Sequence, residues 1–251
     1  MLTVVLITEN AAHLLERTLA AVAFADTVLI VDSGSTDGTR ELAEKLGAKV
    51  ILQPDWKGYG YQKTFALSHA EGDWILFLDA DEVVDETLAR EIVRAVERPG
   101  TAVGFSITRI NFFCGERLRF GNGRPHQVER LFKKGAGRIS DHRIHERVIV
   151  DGPVTRLPGE LHHYTTESVS HRVQKNDAYA TTAAEELYRE GKRASLGKLV
   201  FLMPLSVLRD LVFNGGILDG KNGVIMAVTG AFYSFSKYAK LWEIERRSKS
   251  S

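Results

Sequence analysis

Three acidic residues follow an apolar run, and they are the part of the chain best placed to do chemistry. The run 74–78 leads into Asp79, Asp81 and Glu82. In an extended backbone residues i and i+2 point the same way, so Asp79 and Asp81 can converge on one point beyond the strand. Two convergent carboxylates repel unless a cation lies between them, and oxygen ligands suit Mg²⁺ or Mn²⁺ bound with substrate phosphates. The pattern predicts a metal and diphosphate site, or alternatively a turn in which Asp81, Glu82 or Asp85 caps the next helix.

A second polar loop follows the apolar run 27–31. Ligands bind beyond the carboxyl ends of strands in open α/β sheets, so Asp32 is expected to face a base or a ribose. The glycine spacing differs from the dinucleotide pattern G-x-G-x-x-G, and the sequence has no G-x-x-x-x-G-K-[ST] loop. This argues against a Rossmann dehydrogenase and a P-loop kinase. A plain turn with Thr36 or Asp37 as helix cap accounts for the loop equally well.

The elements that must position these residues alternate in type over about 1–107. Short apolar runs are separated by segments with helical spacing, which is typical of β-α-β units around a mostly parallel sheet. The predicted strands are Thr3 to Ile7, Thr27 to Val31, Lys49 to Leu52, Trp74 to Leu78 and Ala102 to Ile107. Asn10 is expected to cap the first helix. The fold class is therefore α/β.

The remainder of the chain divides into two stretches. Glycine-rich turns and short strand-like runs mark 108–165 as loops on the acceptor side of a catalytic domain, 1–165. From 166 to 251 the spacing is helical, which predicts a helical C-terminal region. The sequence shows no internal repeat, and no long linker separates the two stretches.

Composition excludes several classes of protein. The 251 residues carry 33 Lys plus Arg against 32 Asp plus Glu, a formal net charge of +1, so no nucleic-acid partner is expected. The single cysteine, Cys114, rules out an internal disulfide and is expected to be a packed thiol. The N-terminal strand lacks the basic start of a signal peptide, which favours a cytoplasmic location.

The longest charge-free apolar stretches, Leu199 to Leu208 and Asn222 to Ser236, are too short to cross a bilayer, which takes about 20 residues. The corresponding predicted apolar helices are Leu196 to Phe213, with a basic rim and a Pro204 that should kink or divide it, and Val224 to Leu241. A basic-rimmed apolar helix is typical of one that lies on anionic lipid. We therefore expect peripheral association with the inner face of the cytoplasmic membrane, or else packing against protein.

The motifs in their order resemble family 2 glycosyltransferases with the GT-A fold. Within that family the chain is most similar to the β-glucosyltransferases of lipopolysaccharide-core biosynthesis. The residues that carry the likeness are Thr8-Glu9-Asn10, Val31 to Thr39, Gln62-Lys63, Phe77 to Glu82, His145-Glu146, Leu161 to Tyr164 and Gly216 to Gly223. The resemblance covers nearly the whole chain.

The resemblance implies a nucleotide-sugar donor, such as UDP-glucose, whose anomeric centre is inverted on transfer. The resemblance implies that Glu9, Asp32, Lys63 and Asp79 contact the donor, and Thr8 and Ser33 belong to the same motifs. Arg130 is added as a candidate because of its side-chain chemistry. Arg130 and Arg143 are suited to bind phosphates through two hydrogen bonds each. Asp79 and Asp81 resemble the D-x-D pair of the family, which implies Mn²⁺ or Mg²⁺ as cofactor.

The catalytic base and a third metal ligand are also expected from the resemblance. A carboxylate must accept the proton of the acceptor hydroxyl, and Glu146 is the first candidate with Asp141 as competitor. Family members supply a late histidine to the metal or diphosphate, which here is His163. Because neighbouring residues on a strand face opposite sides, only one of His162 and His163 should point into the site.

The acceptor is expected to be a glycolipid or a lipid-linked saccharide. One alternative is transfer to a polyprenyl phosphate, whose phosphate oxygen needs no strong base. Another is a non-catalytic protein that acts at the membrane surface or binds glycans and retains the fold. Retention of Asp32, Asp79 and Asp81 argues against the second alternative.

Overall fold

A computed structural model of the chain describes residues 1–140, 147–166 and 168–249. The strands are β1 Leu2–Thr8, β2 Thr27–Asp32, β3 Lys49–Leu52, β4 Trp74–Asp79, β5 Glu82–Val84, β6 Gly104–Phe113, β7 Glu116–Arg117, β8 His126–Lys133, β9 Gly137–Ile139, β10 Val148–Val150 and β11 Val154–Thr166. The α-helices are α1 Ala12–Ala20, α2 Thr39–Lys45, α3 Tyr59–His69, α4 Glu86–Glu97, α5 Val169–Arg189, α6 Leu196–Leu208 and α7 Gly220–Lys249. The predicted α/β class is confirmed.

The main sheet has the strand order β3-β2-β1-β4-β8-β6-β11-β5, with β1 to β4 parallel. Val4, Val5 and Leu6 of β1 are fully buried. Successive residues of a strand point to opposite faces, and accordingly Val4 and Leu6 belong to one apolar cluster and Val5 to another. An uninterrupted apolar run is what a parallel strand covered on both faces requires.

The chain forms two compact units. Unit 1 comprises Met1–Arg109 and His126–His163, and unit 2 comprises Ile110–Pro125 and Tyr164–Ser251. Unit 1 contains the parallel strands, whereas unit 2 contains α5, α6 and α7, in which α7 packs with both α5 and α6. The expected division after residue 165 stays a prediction.

Two residues in tight turns differ from expectation. Asn10 does not cap a helix: α1 begins after Ala11, and Asn10 has a φ of 50°. Its Oδ1 accepts a hydrogen bond of 2.9 Å from the backbone N of Thr36, so it joins the loops after β1 and β2. Cys114 is exposed rather than packed, because it and Gly115 form the two-residue turn, both with positive φ, that joins β6 to β7.

The apolar stretch that contains Pro204 does not break at the proline. Pro204 lies inside α6, which continues to Leu208, and a π-helical turn follows at Arg209–Phe213. The predicted helix at 224–241 is the middle of the much longer α7. Within the described parts of the chain, every helix is too short or too polar to traverse a bilayer.

The glycine-rich segment before and at the start of α7 is packed too closely for side chains. A Cβ atom on Gly223 would lie 1.8 Å from the carbonyl oxygen of Gly216. Between them, the carboxylate of Asp219 accepts hydrogen bonds of 2.9 Å from the backbone N of both Arg119 and Phe120. These contacts, all within unit 2, explain why the segment combines glycines with an aspartate.

Candidate active site at the ends of the parallel strands

Thr8, Asp32 and Asp79, three of the predicted site residues, lie where three parallel strands end. In the register of the sheet, Thr8 of β1 is opposite Asp32 of β2, and Ile7 of β1 is opposite Asp79 of β4. The two aspartates therefore flank the end of β1. The carboxyl ends of parallel strands share one edge of a sheet, which is why acids far apart in sequence are brought together here.

Asp32 is completely buried and shapes the loop that follows it. Its Oδ1 accepts hydrogen bonds from the backbone N of Gly34, at 3.0 Å, and of Ser35, at 2.8 Å. Its Oδ2 accepts from the hydroxyls of Thr8, at 2.8 Å, and of Ser35, at 2.5 Å. Gly34 has a φ of 108°, a backbone conformation that favours glycine. Asp32 thus holds the loop through bonds inside the protein.

The remaining residues of these loops are more accessible. Glu9 is exposed, whereas Ser33 is half-buried and its Oγ accepts a 2.9 Å hydrogen bond from Nε2 of Gln62. The same nitrogen donates to the carbonyl oxygen of Gln53 at 2.7 Å. Gln62, which is fully buried on α3, therefore joins the loops after β2 and β3.

Asp79 is held between two buried cations. Its Oδ1 lies 2.8 Å from Nζ of Lys63 on α3, and its Oδ2 lies 2.7 Å from Nη2 of Arg130 on β8. Burial by itself raises the pKa of the Asp79 carboxyl, but the charges of Lys63 and Arg130 outweigh it and hold the pKa well below its usual range. The carboxylate is therefore ionised.

Glu82 is a buried residue at the centre of this network that the sequence suggested only as a helix cap. Its Oε1 accepts from Nη2 of Arg130 at 2.7 Å and from Nη1 of Arg109 at 3.2 Å. Its Oε2 accepts from the backbone N of Asp79 at 3.0 Å. Burial lowers the pKa of the Arg130 guanidinium, but Glu82 and Asp79 raise it by more, so Arg130 remains charged.

Arg109 was not among the predicted site residues, and Gln62 was named only as part of a family motif. The signal for Arg109 was present, because a charged residue interrupts the apolar strand β6 and a charge is buried only when it is paired. Its partner, Glu82, lies 27 positions away in sequence, and the contact between the two residues depends on how the strands pair.

Asp81 and His163 form the second polar contact of the site. Nε2 of His163 lies 3.3 Å from Oδ2 of Asp81, and both side chains are largely buried. The antiparallel pairing of β5 with β11 places His163 opposite Glu82. His162 points elsewhere, with Nε2 at 3.2 Å from Oε2 of Glu160, as alternation along a strand requires.

The donor atoms of Asp81 and His163 fit a divalent metal ion. A carboxylate oxygen and an imidazole nitrogen close together provide two protein ligands and leave the other positions to water or phosphate oxygens, and Mn²⁺ accepts such a mixed set. Asp79 fits less well as a direct ligand, because its two oxygens already contact Lys63 and Arg130.

Another group in unit 1 has a spacing that could hold a metal ion. Ligand atoms of Asp85, Glu160 and His162 lie within 4.8 Å of one another. Asp85, however, caps α4, with Oδ1 accepting from the backbone N of Leu88 at 2.6 Å. The positive end of the helix dipole disfavours a cation at that place.

The predicted base cannot be placed in this site. Glu146, Asp141 and Arg143 lie outside the described residues. Their roles stay predictions.

Comparisons with known proteins agree with the architecture. The model of the family described as "Glycosyl transferase family 2" matches residues 3–148. The lipopolysaccharide core biosynthesis glycosyltransferase LpsC of Rhizobium meliloti is 32% identical over 86% of this chain and 82% of its own length. An uncharacterized glycosyltransferase of Rickettsia typhi is 29% identical over 98% of this chain and 88% of its own.

One solved structure shares the fold over most of the chain. The mannosyltransferase PcManGT from Pyrobaculum calidifontis, solved in complex with GDP-Man and Mn²⁺, is 18% identical. The match covers 96% of this chain and 87% of that chain with a TM-score of 0.51. The predicted GT-A fold is thereby confirmed.

Proposed function

The chain belongs to glycosyltransferase family 2, and on that premise we propose that it is an inverting, metal-dependent hexosyltransferase. The proposed donor is UDP-glucose or a related nucleotide hexose. The proposed acceptor is a lipopolysaccharide-core saccharide or another lipid-linked saccharide, in keeping with the name of the relative from Rhizobium meliloti.

The observation that carries the proposal is the arrangement of Asp79, Asp81 and His163 at one edge of the sheet. Asp81 and His163 are 3.3 Å apart and would hold Mn²⁺ or Mg²⁺. A divalent ion held there would supply Lewis acidity toward a leaving diphosphate. The roles proposed for the pair follow from their donor atoms and their burial.

The donor would be bound by residues around that edge. Lys63 and Arg130 place two positive charges beside Asp79. These positive charges would attract the negatively charged diphosphate of the donor. Ser33 and Glu9 belong to the loops that would receive the nucleoside. Thr8 and Asp32 act through those loops, because the hydroxyl of Thr8 donates to the buried carboxylate of Asp32.

Transfer forms one bond and breaks another at the anomeric carbon. The acceptor oxygen attacks that carbon, the bond to the diphosphate oxygen breaks, and the electron pair leaves with the diphosphate. The hydroxyl proton must pass to a carboxylate, for which Glu146 is proposed, with Asp141 as the competing candidate. Holding donor and acceptor in line lowers the entropic part of the barrier.

The proposed location is the inner face of the cytoplasmic membrane, where an acceptor with a lipid anchor is presented. The chain would be peripheral there. This location is consistent with the lipopolysaccharide-core relative.

Donor binding is tested by thermal unfolding with a panel of nucleotide sugars, each with Mn²⁺, Mg²⁺ or EDTA. A ligand at about 100 times its Kd stabilises the folded state by about 2.7 kcal/mol, which raises the Tm by several degrees. We expect this rise with one nucleotide and a metal, and its loss with EDTA. No metal-dependent shift with any member of the panel would contradict the proposal.

The base is tested with Glu146→Gln and, as its comparator, Asp141→Asn. We expect Glu146→Gln to abolish transfer and to leave the metal-dependent donor shift unchanged, because the proton acceptor is lost while the donor site is intact. Undiminished transfer by Glu146→Gln together with its loss in Asp141→Asn would assign the role to Asp141.

A further inference from the structure

The helix α6 and the segment after it expose apolar side chains on one side of unit 2. No residue of α6 is buried, although most of its thirteen residues are apolar. We call the exposed set the α6 face. It consists of Leu196, Val200, Phe201, Leu205, Leu208, Val212, Phe213, Ile217 and Leu218.

Three members of the α6 face form a stripe along α6, and a fourth follows it. Phe201, Leu205 and Leu208 follow one another at intervals of four and three residues, which is the spacing of neighbours on one side of an α-helix, and Val212 lies in the π-helical turn that continues α6. Each of them is about half exposed or more, from 49% for Leu208 to 61% for Phe201 and Val212. A contiguous apolar stripe of this kind marks an interaction site, unlike single exposed apolar residues.

The charges near the α6 face are positive. The exposed basic residues of this part of the chain are Lys192, Arg193, Lys198, Arg209 and Lys221. Among them, Lys192 pairs with Glu190 at 2.7 Å. The two acids of 191–221 are engaged inside unit 2: Asp210 is 1% exposed, and Asp219 accepts hydrogen bonds from the backbone of the loop before it. The surface therefore combines apolar side chains with an excess of exposed basic residues over exposed acidic ones.

We propose that the α6 face docks on an anionic lipid bilayer, with α6 lying in the plane of the headgroups. Thirteen residues of α-helix span about 20 Å, too short to cross the hydrocarbon core but suited to an interfacial position. Anionic headgroups complement the basic residues. Between two copies of the chain related by a two-fold axis, by contrast, the same basic residues would face each other.

The choice of a bilayer as partner rests on the proposed function, because a lipid-linked acceptor is presented at such a surface. The docking itself needs neither donor nor acceptor. Its failure is therefore distinguishable from failure of the proposed function: the metal-dependent donor shift would persist without docking, or docking would persist without the shift.

The test is co-sedimentation of the full chain with vesicles of phosphatidylcholine, with and without phosphatidylglycerol. We expect binding to the vesicles with phosphatidylglycerol, weakened by salt because exposed charges are screened. The double variant Phe201→Ser/Leu205→Ser should bind at least about tenfold more weakly, since it loses apolar surface that enters the bilayer. The matched control is Leu46→Ser/Val173→Ser, which removes two exposed apolar side chains elsewhere.

A second variant tests the contribution of the basic residues to docking. Arg209→Glu/Lys221→Glu keeps the apolar stripe but reverses two charges, and we expect it to lose the preference for phosphatidylglycerol. Circular dichroism and the Tm should match the wild type for each variant. Wild-type protein that stays in the supernatant at low salt, or a Phe201→Ser/Leu205→Ser variant that binds like the wild type, would overturn the proposal. A dimer in light scattering that only this variant abolishes would do so too.

Discussion

The site in unit 1 and the α6 face in unit 2 depart from ordinary surface chemistry in opposite ways. Unit 1 buries charges, with Glu82 fully buried and Arg130 and Lys63 nearly so. Unit 2 exposes apolar side chains along α6. Buried charges are stable only when paired, and here the partners come from the same chain. The apolar side chains of α6 stay exposed among the described residues, so the comparison separates charges that the fold itself pairs from an apolar surface that it leaves uncovered there.

Among the described residues, the largest effect is expected from Asp81→Asn in unit 1. The substitution removes the carboxylate that would hold the metal, and preorganised charge at a leaving group is worth up to about 10³-fold in rate. Transfer should fall by about that factor, and the metal-dependent Tm shift should disappear. The control is Asp151→Asn, an exposed acid paired with Arg138. Equal activity of Asp81→Asn and the control would break the assignment of the site.

A large loss of stability is expected from Glu82→Gln. Removing one member of a buried ion pair leaves an uncompensated charge, here on Arg109, and reduces the carboxylate partners of Arg130 to Asp79, at a cost of about 3 kcal/mol. Chemical denaturation measures the loss. Glu91→Gln is the matched control, because the Glu91–Arg94 pair on α4 has an exposed arginine and such pairs are worth about 0.5 kcal/mol or less. Equal losses in the two variants would show that the network in unit 1 is not stabilising.

A smaller effect, confined to unit 2, is expected from Asp219→Ala. The variant leaves the backbone N of Arg119 and Phe120 without their acceptor, which costs about 1.5 kcal/mol by analogy with a lost helix cap. Asp219→Asn keeps one oxygen and should lose less. The Kd for nucleotide and metal, measured by calorimetry, should be unchanged in both. A weakened Kd would mean that the donor site depends on unit 2.

The smallest effect on folding is expected on the α6 face. Phe201→Ser should change the free energy of unfolding by less than about 0.5 kcal/mol, because its side chain is already exposed. Leu241→Ala in α7, where the residue is fully buried, should cost about 2–5 kcal/mol. Similar losses in the two variants, measured by denaturation without lipid, would mean that the α6 face is part of the folded core.

Much of unit 1 could be predicted from the sequence because its inner strands are buried on both sides. The runs near β1, β2 and β4 were placed within one residue at each end, since a short uninterrupted apolar run between turn residues is typical of a buried strand. The edge strand β3, which is more exposed, was also placed correctly. Strand alternation also predicted that His162 and His163 would point to different sides, and they contact different acids.

The connections inside the site could not be predicted in the same way. Glu82 follows the D-x-D pair and resembled a helix cap, but the cap of α4 is Asp85. The environment of Glu82 depends on β8 and β6, which bring Arg130 and Arg109 to it from positions 48 and 27 residues away. Such pairing is decided by strand order, and local spacing contains no information about it.

The sequence by itself determined the class of the fold, the family, and the acids that end the inner strands, because apolar periodicity and short motifs are local properties. The tertiary structure decided which cation each acid contacts, that Asp32 serves its own loop, and that α6 presents its apolar side chains outward. These outcomes depend on which surfaces meet when the chain folds, and burial is a property of the whole arrangement rather than of any one segment.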